Sequence, residues 1–288
     1  MKIYRIMISF IKKKFLKLQK KPKLFLKDMI WKRIFIGSYW LNKSIEDKLK
    51  TIAIELKNHS ESMFLVSKIH NKTFNKYKNM HIGKEVVVFG SGPSLNLYSD
   101  NKSDRIYIGC NRVFRKFDLD YLFIVDAHGT KDYIDEIKGL KCKKFIGRYL
   151  NDISYNDENY WVNKITIPEH FFDENTERYY TSSMFANTIN YDIGNFPLTS
   201  FSSVVHDAFS FALWIGAKRI YLVGCDCTLN GYYDGSKQDL EWTRDAYSRI
   251  LDGWIKYKKF CDVYYPKTEI ISINPLKLSG LFKDFYTK

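Results

Sequence analysis

The sequence lacks any apolar run that approaches the length of about 20 residues needed by a membrane-spanning helix. It also has few cysteines, five in 288 residues, and no secretory signal precedes them. We therefore expect reduced thiols in a cytosolic protein, and not a disulfide-stabilised secreted fold. The closest cysteine pair, Cys225 and Cys227, has no further ligands near it and does not have the spacing of a zinc site.

Acidic residues are almost absent from the first 34 positions, which hold twelve Lys and Arg but one acid, Asp28. The remaining residues carry 34 basic and 31 acidic groups, so most of the net charge of +14 belongs to the N-terminus. Residues 1–36 also place apolar side chains at helical spacing between the lysines, which is typical of a helix on an anionic membrane surface. A partner-binding helix and a solvated face stay open. Nucleic acid is not an expected partner, because the basic track ends at residue 36 and no binding module follows.

Residues 45–78 repeat apolar side chains at near-heptad steps, at Ile45, Leu49, Ile52, Leu56, Met63 and Val66. This repeat predicts a helix that packs either on the main domain or on a second copy of the chain. The second alternative would make a homo-oligomer through 45–78. We therefore expect a basic amphipathic and helical extension over 1–80, followed by the main domain over 81–288.

From Gly83 onward the pattern alternates between strands and helices. Candidate strands are the short apolar runs at 85–89, 105–109, 121–125, 143–147, 219–223 and 269–273, with helices notably at 203–215 and 237–260. This alternation predicts an α/β fold with a Rossmann-like, doubly wound and mostly parallel sheet. Residues 151–200 are polar, aromatic and irregular, and we interpret them as a lid-like insertion over the sheet.

The first predicted strand ends abruptly at Gly90-Ser91-Gly92-Pro93-Ser94. Pro93 suits the first position of a helix, and Gly90 and Gly92 have no Cβ to keep a ligand away from the backbone. The unbonded N–H groups of the new helix would favour an anion, usually a phosphate. The alternative is a plain strand-to-helix turn that binds nothing.

Polar residues also follow four further predicted strands. Because ligands of open α/β sheets bind beyond the carboxyl ends of the strands, these residues are expected to line one site. They are Cys110-Asn111, Asp126 with His128, Gly224-Cys225-Asp226, and Asn274. Asn274 is as readily interpreted as a helix cap.

Three sequence blocks resemble the bacterial sialyltransferases of glycosyltransferase family 42. They are Gly90-Ser91-Gly92-Pro93-Ser94-Leu95, Cys110-Asn111, and the run from Gly216 to Asp226 (GAKRIYLVGCD). The same blocks, together with 265–275 (YPKTEIISINP), look like MptE-like proteins and proteins of capsule and lipopolysaccharide gene clusters.

The resemblance implies a metal-independent glycosyltransferase that uses a nucleotide sugar, CMP-linked in that family, and no other cofactor. Domain 81–288 would then bind the nucleotide sugar. Gly90 to Ser94 would hold the donor phosphate and nucleotide. Asn111 and Asp126 fall at positions where the family has Asn. Ser202 and Ser203 fall near the Thr-Ser pair of the family. Thr228, Tyr232 and Tyr233 approximate two phosphate-binding tyrosines, and Asp226 ends the third block. The basic N-terminus suits a lipid-linked or surface glycan acceptor, for capsule or lipopolysaccharide synthesis at the inner face of the cell membrane.

The histidine base of that family has no counterpart, because no histidine follows His206. A replacement needs a pKa near the working pH. His128 is the first choice, since Asp126 two residues earlier could orient its ring. Asp126 itself and His170 are alternatives, and His206 has an equal claim to a role in the core. Asp126-x-His128 is also a candidate half of a metal site, but no further ligands can be placed, so no metal is predicted.

Two functions of other classes compete with glycosyl transfer. A pyrophosphokinase acting on a pterin, as the MptE-like resemblance suggests, would require ATP and Mg²⁺, yet the sequence shows no Walker lysine or acidic metal pair. A non-catalytic assembly protein would bind nucleotide through the glycine loop and pair through residues 45–78.

Overall fold

The computed structural model describes residues 21–99, 104–125, 134–150, 173–182, 188–237 and 240–287. The helices are α1 (Pro22–Phe74), α2 (Ile134–Lys138), α3 (Val204–Trp214) and α4 (Leu240–Tyr264). The strands are β1 (Glu85–Phe89), β2 (Ile106–Cys110), β3 (Tyr121–Ile124), β4 (Lys143–Tyr149), β5 (Thr176–Thr181), β6 (Arg219–Val223), β7 (Glu269–Ile273) and β8 (Lys283–Phe285). Short 3-10 helices cover Asn75–Tyr77, Pro93–Leu97 and Asn111–Arg115.

In the described part of the chain, eight strands form one sheet in the order β5-β4-β3-β2-β1-β6-β7-β8. Every neighbouring pair of strands is parallel. The predicted α/β fold, with a doubly wound parallel sheet and a helical N-terminal region, is confirmed. Strands β1, β6 and β7 have the predicted bounds, whereas β2, β3 and β4 differ from them by one or more residues. The sequence pattern predicts neither β5 nor β8.

Strand β1 is buried on both faces, as its continuous apolar run predicts. Val86 and Val88 belong to one hydrophobic cluster, together with Phe209 of α3. Val87 and Phe89 belong to a second cluster. Because successive side chains of a strand point to opposite faces, the two clusters lie on the two sides of the sheet. With both faces covered, the ends of the strands are the natural place for a ligand.

Strand β5 lies inside the segment predicted as a lid-like insertion. Residues 151–172 and 183–187 of that segment are outside the described residues. The part that is described pairs with β4 along Thr176–Thr181 and buries Tyr179 and Tyr180 almost completely. Residues 197–200 are buried as well. This part therefore belongs to the sheet and the hydrophobic core. The strand contains polar residues, so it does not form the continuous apolar run that would have predicted it.

The chain divides into two compact units, Met1–Ser60 and Glu61–Lys288, against the predicted boundary at 80 and 81. The last turns of α1 account for the difference. Val66 and Phe74 are fully buried, each in one of the two clusters of the sheet. Residues 61–80 are thus part of the α/β unit and not of the extension.

The heptad-like repeat has different surroundings in the two parts of α1. Ile45, Leu49, Ile52 and Leu56 are 48%, 60%, 49% and 64% exposed, whereas Val66 is buried. The repeat is therefore only partly explained by packing within the α/β unit. None of the described helices contains a segment apolar enough, over sufficient length, to cross a membrane.

Candidate functional site

The strand order creates one point where the chain reverses direction across the sheet. From β1 the chain runs outward through β2 to β5, and it then returns to β6, which pairs with the other side of β1. Ligands of open α/β sheets bind beyond the carboxyl ends of the strands at such a point. The residues there are those after β1, β2 and β6, which the sequence analysis also singled out. Ser91 Oγ lies 3.4 Å from the carbonyl oxygen of Cys110, and Gly92 N donates to Gly224 O at 2.9 Å.

The two glycines of the first loop are needed for contact with the loop after β6. A Cβ on Gly90 would lie 2.5 Å from Gly224 O, and one on Gly92 would lie 2.5 Å from Asp226 Oδ2. Such distances are sterically impossible without a shift of the backbone or the carboxylate. We predicted that these glycines permit the close approach of a ligand, but in the structure they permit the approach of another loop of the protein.

Asp226 holds the start of the helix that follows the glycine loop. Its Oδ2 accepts a hydrogen bond from Ser94 N at 2.8 Å, and its Oδ1 accepts one from Ser94 Oγ. Burial raises the pKa of Asp226, and the two bonds from Ser94 oppose that shift. The element is a five-residue 3-10 helix, and Leu95 N already donates to Gly92 O. The predicted free N–H groups are therefore absent at Ser94 and Leu95, because acceptors within the protein satisfy them.

Two buried oxygen atoms at this edge have no hydrogen-bond partner among the described residues. They are Oδ1 of Asn111, directly after β2, and Oγ1 of Thr228, in the loop after β6. Asn111 also has a positive φ of 51°, a conformation that few residues other than glycine and asparagine adopt readily. Buried polar atoms are nearly always bonded, so unpaired ones at a strand edge favour a polar ligand. The sequence analysis named both residues.

The segment 231–236 contacts the glycine loop and the 3-10 helix after β2. Tyr233 N donates to Ser91 O at 3.0 Å, and Tyr233 Oη donates to the carbonyl oxygen of Arg112 at 2.8 Å. The Arg112 guanidinium lies 4.7 Å from the centre of the Tyr232 ring and pairs with Asp234 at 3.0 Å. The sequence analysis predicted the two tyrosines but missed Arg112 and Asp234. The position of Arg112, two residues after β2, was the signal available for it.

The remaining described candidates make contacts within the protein. Ser202 Oγ accepts a hydrogen bond from Arg249 Nε at 3.0 Å, and Ser203 precedes α3 without a capping bond from its side chain. Asn274 Oδ1 accepts from Thr287 N at 2.9 Å, and its Nδ2 donates to Thr287 Oγ1 at 2.7 Å. Asn274 thus joins the end of β7 to the residues after β8 and caps no helix.

The candidate bases Asp126, His128 and His170 lie outside the described residues, so their roles stay predictions. His206 is described, and it lies fully buried between Trp254 and Tyr257, at ring-centre distances of 4.6 and 5.3 Å. Its Nδ1 donates to Ser200 O at 2.6 Å, and burial lowers its pKa to about 4. These surroundings are those of a core residue.

Metal ligands do not converge in the described part of the chain. No group of three or more His, Cys, Asp or Glu residues there is placed to hold a metal ion. None of the five cysteines forms a disulfide. That the function uses no metal stays a prediction, because Asp126 and His128 are not among these residues.

Comparison with protein-family models and with curated proteins finds no match. Two solved structures are similar to part of the chain. The sialyltransferase CstII from Campylobacter jejuni, in complex with the substrate analogue cytidine-5'-monophosphate, is 15% identical; the match covers 66% of this chain and 80% of that one, with a TM-score of 0.37. A variant of CST-II in complex with CMP is 16% identical, with coverage of 66% and 81% and a TM-score of 0.36. Likeness at this level carries no argument about function.

Proposed function

We propose that this chain is a sialyltransferase-like glycosyltransferase that binds a CMP-linked sugar beyond the carboxyl ends of β1, β2 and β6. The observation that carries the proposal is that two buried oxygens, Asn111 Oδ1 after β2 and Thr228 Oγ1 after β6, have no hydrogen-bond partner among the described residues. Strands β2 and β6 lie on the two sides of β1, which leads into the glycine loop. Amino and hydroxyl groups of a nucleotide and its sugar supply the hydrogen-bond donors that these oxygens lack. The three sequence blocks that resemble family 42 lie around the same point of the sheet.

The transfer that we propose is a direct displacement. The acceptor hydroxyl attacks the anomeric carbon, the bond from that carbon to the phosphate oxygen breaks, and a base removes the hydroxyl proton. His128 is our first choice for the base, oriented by Asp126, since both residues follow β3 in the sequence. We propose that no metal takes part. The acceptor is a glycan of the cell surface or a lipid-linked precursor of capsule or lipopolysaccharide.

The experiment that tests the nucleotide site is a thermal-shift and calorimetric screen of the full chain. The ligands are CMP-, UDP-, GDP- and dTDP-sugars, and ATP with and without Mg²⁺. A CMP-sugar at about 100 times its Kd should stabilise the fold by about 2.7 kcal/mol. A Mg²⁺-dependent response to ATP alone would favour the pyrophosphokinase, and binding without hydrolysis or transfer would favour the assembly protein.

Thr228→Val makes the screen specific for the proposed site. Valine keeps the shape of threonine but removes the unpaired hydroxyl, so the protein alone should lose little stability while CMP-sugar affinity falls about 2- to 10-fold. Thr268→Val is the control, because Thr268 Oγ1 donates to Ala217 O at 3.1 Å beside the start of β7. It should cost stability and leave the affinity unchanged. If instead Thr228→Val keeps its CMP-sugar affinity and Thr268→Val loses it, the nucleotide does not bind at this edge.

Turnover of His128→Ala in the same preparation tests the base. We expect a fall of about 10²- to 10⁴-fold with donor affinity unchanged. Near-normal transfer by this variant, with Asp126→Asn or His170→Ala inactive instead, would move the chemistry to one of those residues.

The extension gives the proposal its cellular setting. We propose that residues 1–36 bind the anionic inner face of the cell membrane, where lipid-linked acceptors are found, in a protein that is otherwise cytoplasmic. The exposed apolar side chains of 45–56 are the proposed contact with a second copy of the chain. Both proposals rest on sequence pattern and exposure, and both are tested below.

A further inference from the structure

Three N–H groups of the glycine loop are bonded within the protein. Gly90 N donates to Val223 O at 2.8 Å, Gly92 N donates to Gly224 O at 2.9 Å, and Ser94 N donates to Asp226. The carboxyl group of Asp226 lies directly beside Gly92, since a Cβ there would be 2.5 Å from Oδ2. A donor phosphate therefore finds these three amides already bonded and a carboxyl group beside the loop. If the proposed function holds, the phosphate needs a cationic partner at another part of the same edge.

Arg112 is the residue with the right charge and position. It is the second residue after β2, the strand adjacent to β1, and its side chain is only 20% exposed. Its Nη1 donates to Asp234 Oδ2 at 3.0 Å and to Ser236 Oγ at 2.5 Å. A planar guanidinium that already bonds a carboxylate and a hydroxyl oxygen has the geometry that phosphate oxygens require.

Two acceptors of Arg112, Asp234 and Ser236, belong to one short segment, 231–236. This segment has its own internal bonds, because Asp234 Oδ1 accepts from Ser236 N and from Ser236 Oγ. It is also fixed to the glycine loop through Tyr233 N and to the next 3-10 helix through Asn96 Nδ2, which donates to Tyr233 O at 2.7 Å. Gly231 and Gly235 have φ values of 83° and 79°. Asp234 can therefore lose its bond to Arg112 and still keep two bonds to Ser236.

We infer that Arg112 binds the phosphate of the donor and that Asp234 competes with that phosphate for the guanidinium. This inference rests on the proposed function and names the part of the site that recognises the anionic half of the ligand. The Tyr232 ring, 4.7 Å from the guanidinium, holds the cation in place during the exchange.

Arg115 provides a matched control on the same 3-10 helix. It is also an arginine in an ion pair, with Glu136, but its side chain is 38% exposed, against 20% for Arg112. If net charge alone attracted the phosphate, Arg115 and Arg112 would contribute about equally. If Arg112 binds it directly, only Arg112 matters strongly.

The test is calorimetric titration of the full chain and its variants with CMP and with cytidine, which differ by the phosphate. Arg112→Ala should weaken CMP about 10- to 100-fold and leave cytidine unchanged, because only the charged hydrogen bonds are lost. Arg115→Ala should change CMP binding less than about 2-fold. Asp234→Asn should strengthen CMP binding several-fold, since asparagine keeps an oxygen for Ser236 but pairs less strongly with arginine.

The outcomes separate the two proposals. Wild-type protein that binds neither CMP nor cytidine overturns the proposed function and this inference with it. Binding of CMP that Arg112→Ala leaves intact, or an equal loss of CMP and cytidine, overturns the inference alone. If Arg112→Ala fails to fold, Asp234→Asn decides: unchanged or weaker CMP binding overturns the inference, and stronger binding supports it.

Discussion

His70 shows how a single side chain joins distant parts of the α/β unit. It lies fully buried near the end of α1, where Tyr180 N donates to its Nε2 at 2.7 Å and its Nδ1 donates to Ile193 O at 2.9 Å. Both ring nitrogens are thus occupied in the neutral form. Burial lowers the pKa of His70 to about 4, because a charged imidazole would lose hydration and one acceptor site.

The pH dependence of stability follows from this shift. The unfolded chain takes up the His70 proton near pH ~6.5, whereas the folded protein resists it until about pH 4. The folded state therefore keeps its full stability above the unfolded pKa and loses it as pH falls from ~6.5 toward ~4. The full loss expected from this residue is about 3 kcal/mol, at 1.36 kcal/mol per pKa unit.

Urea unfolding at pH 7.5, 6 and 5 measures this loss. His206 contributes in the same direction, since its pKa is also lowered to about 4, so the informative quantity is the change of slope in His70→Gln. That variant should be less stable at pH 7.5 and should depend less on pH. His59→Gln, on the exposed part of the same helix, is the control and should match the wild type. Equal slopes in His70→Gln and wild type would show that His70 does not titrate on unfolding.

At the scale of the elements, the helix α1 contains both fully buried and largely exposed apolar residues. Phe74 is fully buried, stacks on Phe145 at 5.6 Å between ring centres, and accepts a hydrogen bond from Trp214 Nε1 at its carbonyl oxygen. Leu49, on the same helix, is 60% exposed. One helix thus includes core residues and surface residues.

We expect Phe74→Ala to lower the free energy of unfolding by about 3–5 kcal/mol, the usual cost of a buried phenylalanine. Leu49→Ala should change it by less than about 0.5 kcal/mol in dilute protein, as surface substitutions do. Chemical denaturation measures both.

If the exposed repeat joins two copies of the chain, Leu49→Asp should shift the mass measured by light scattering from dimer to monomer without changing the fold. A monomeric wild type at high concentration would contradict the proposed contact.

At the scale of the whole molecule, charge is distributed unevenly. Residues 1–34 hold twelve basic residues and one acid, while the rest of the chain is almost balanced. In the described part of this segment, Trp31 and Ile34 are 61% and 56% exposed beside Lys32 and Arg33. Exposed apolar and basic side chains together are what an anionic bilayer surface attracts, at about 1 kcal/mol for each Lys or Arg near the surface.

Sedimentation with lipid vesicles measures this attraction. The full chain should bind vesicles that contain phosphatidylserine, and a chain without residues 2–36 should not. Binding should weaken as salt rises, because charge-driven adsorption is screened. Neutral phosphatidylcholine vesicles are the control. Equal binding by both chains, or binding that salt leaves unchanged, would show that the N-terminal charge is not what attracts the membrane.

The sequence by itself determined the α/β class and the β strands with a continuous apolar pattern. Val86 to Phe89 are buried on both faces of the sheet, and burial on both faces requires apolar residues at consecutive positions, which the sequence shows directly. The same holds for the place of the candidate site, because the residue after each such strand is known once the strand is known. Asn111, directly after β2, could be named this way, whereas Thr228, five residues after β6, was named only from the resemblance to family 42.

The tertiary structure decided which polar groups are already bonded. Ser94 and Asp226 are 132 residues apart, and Arg112 and Asp234 are 122 apart, so no local periodicity relates them. Their contacts arise only when β1, β2 and β6 lie side by side. Strand β5 and the last turns of α1 are similar cases, since Tyr180 and His70 are 110 residues apart and are joined by a hydrogen bond and by stacked rings 6.2 Å apart. Burial is a property of the assembled core, and a sequence pattern reports it only where one strand or helix buries a regular face.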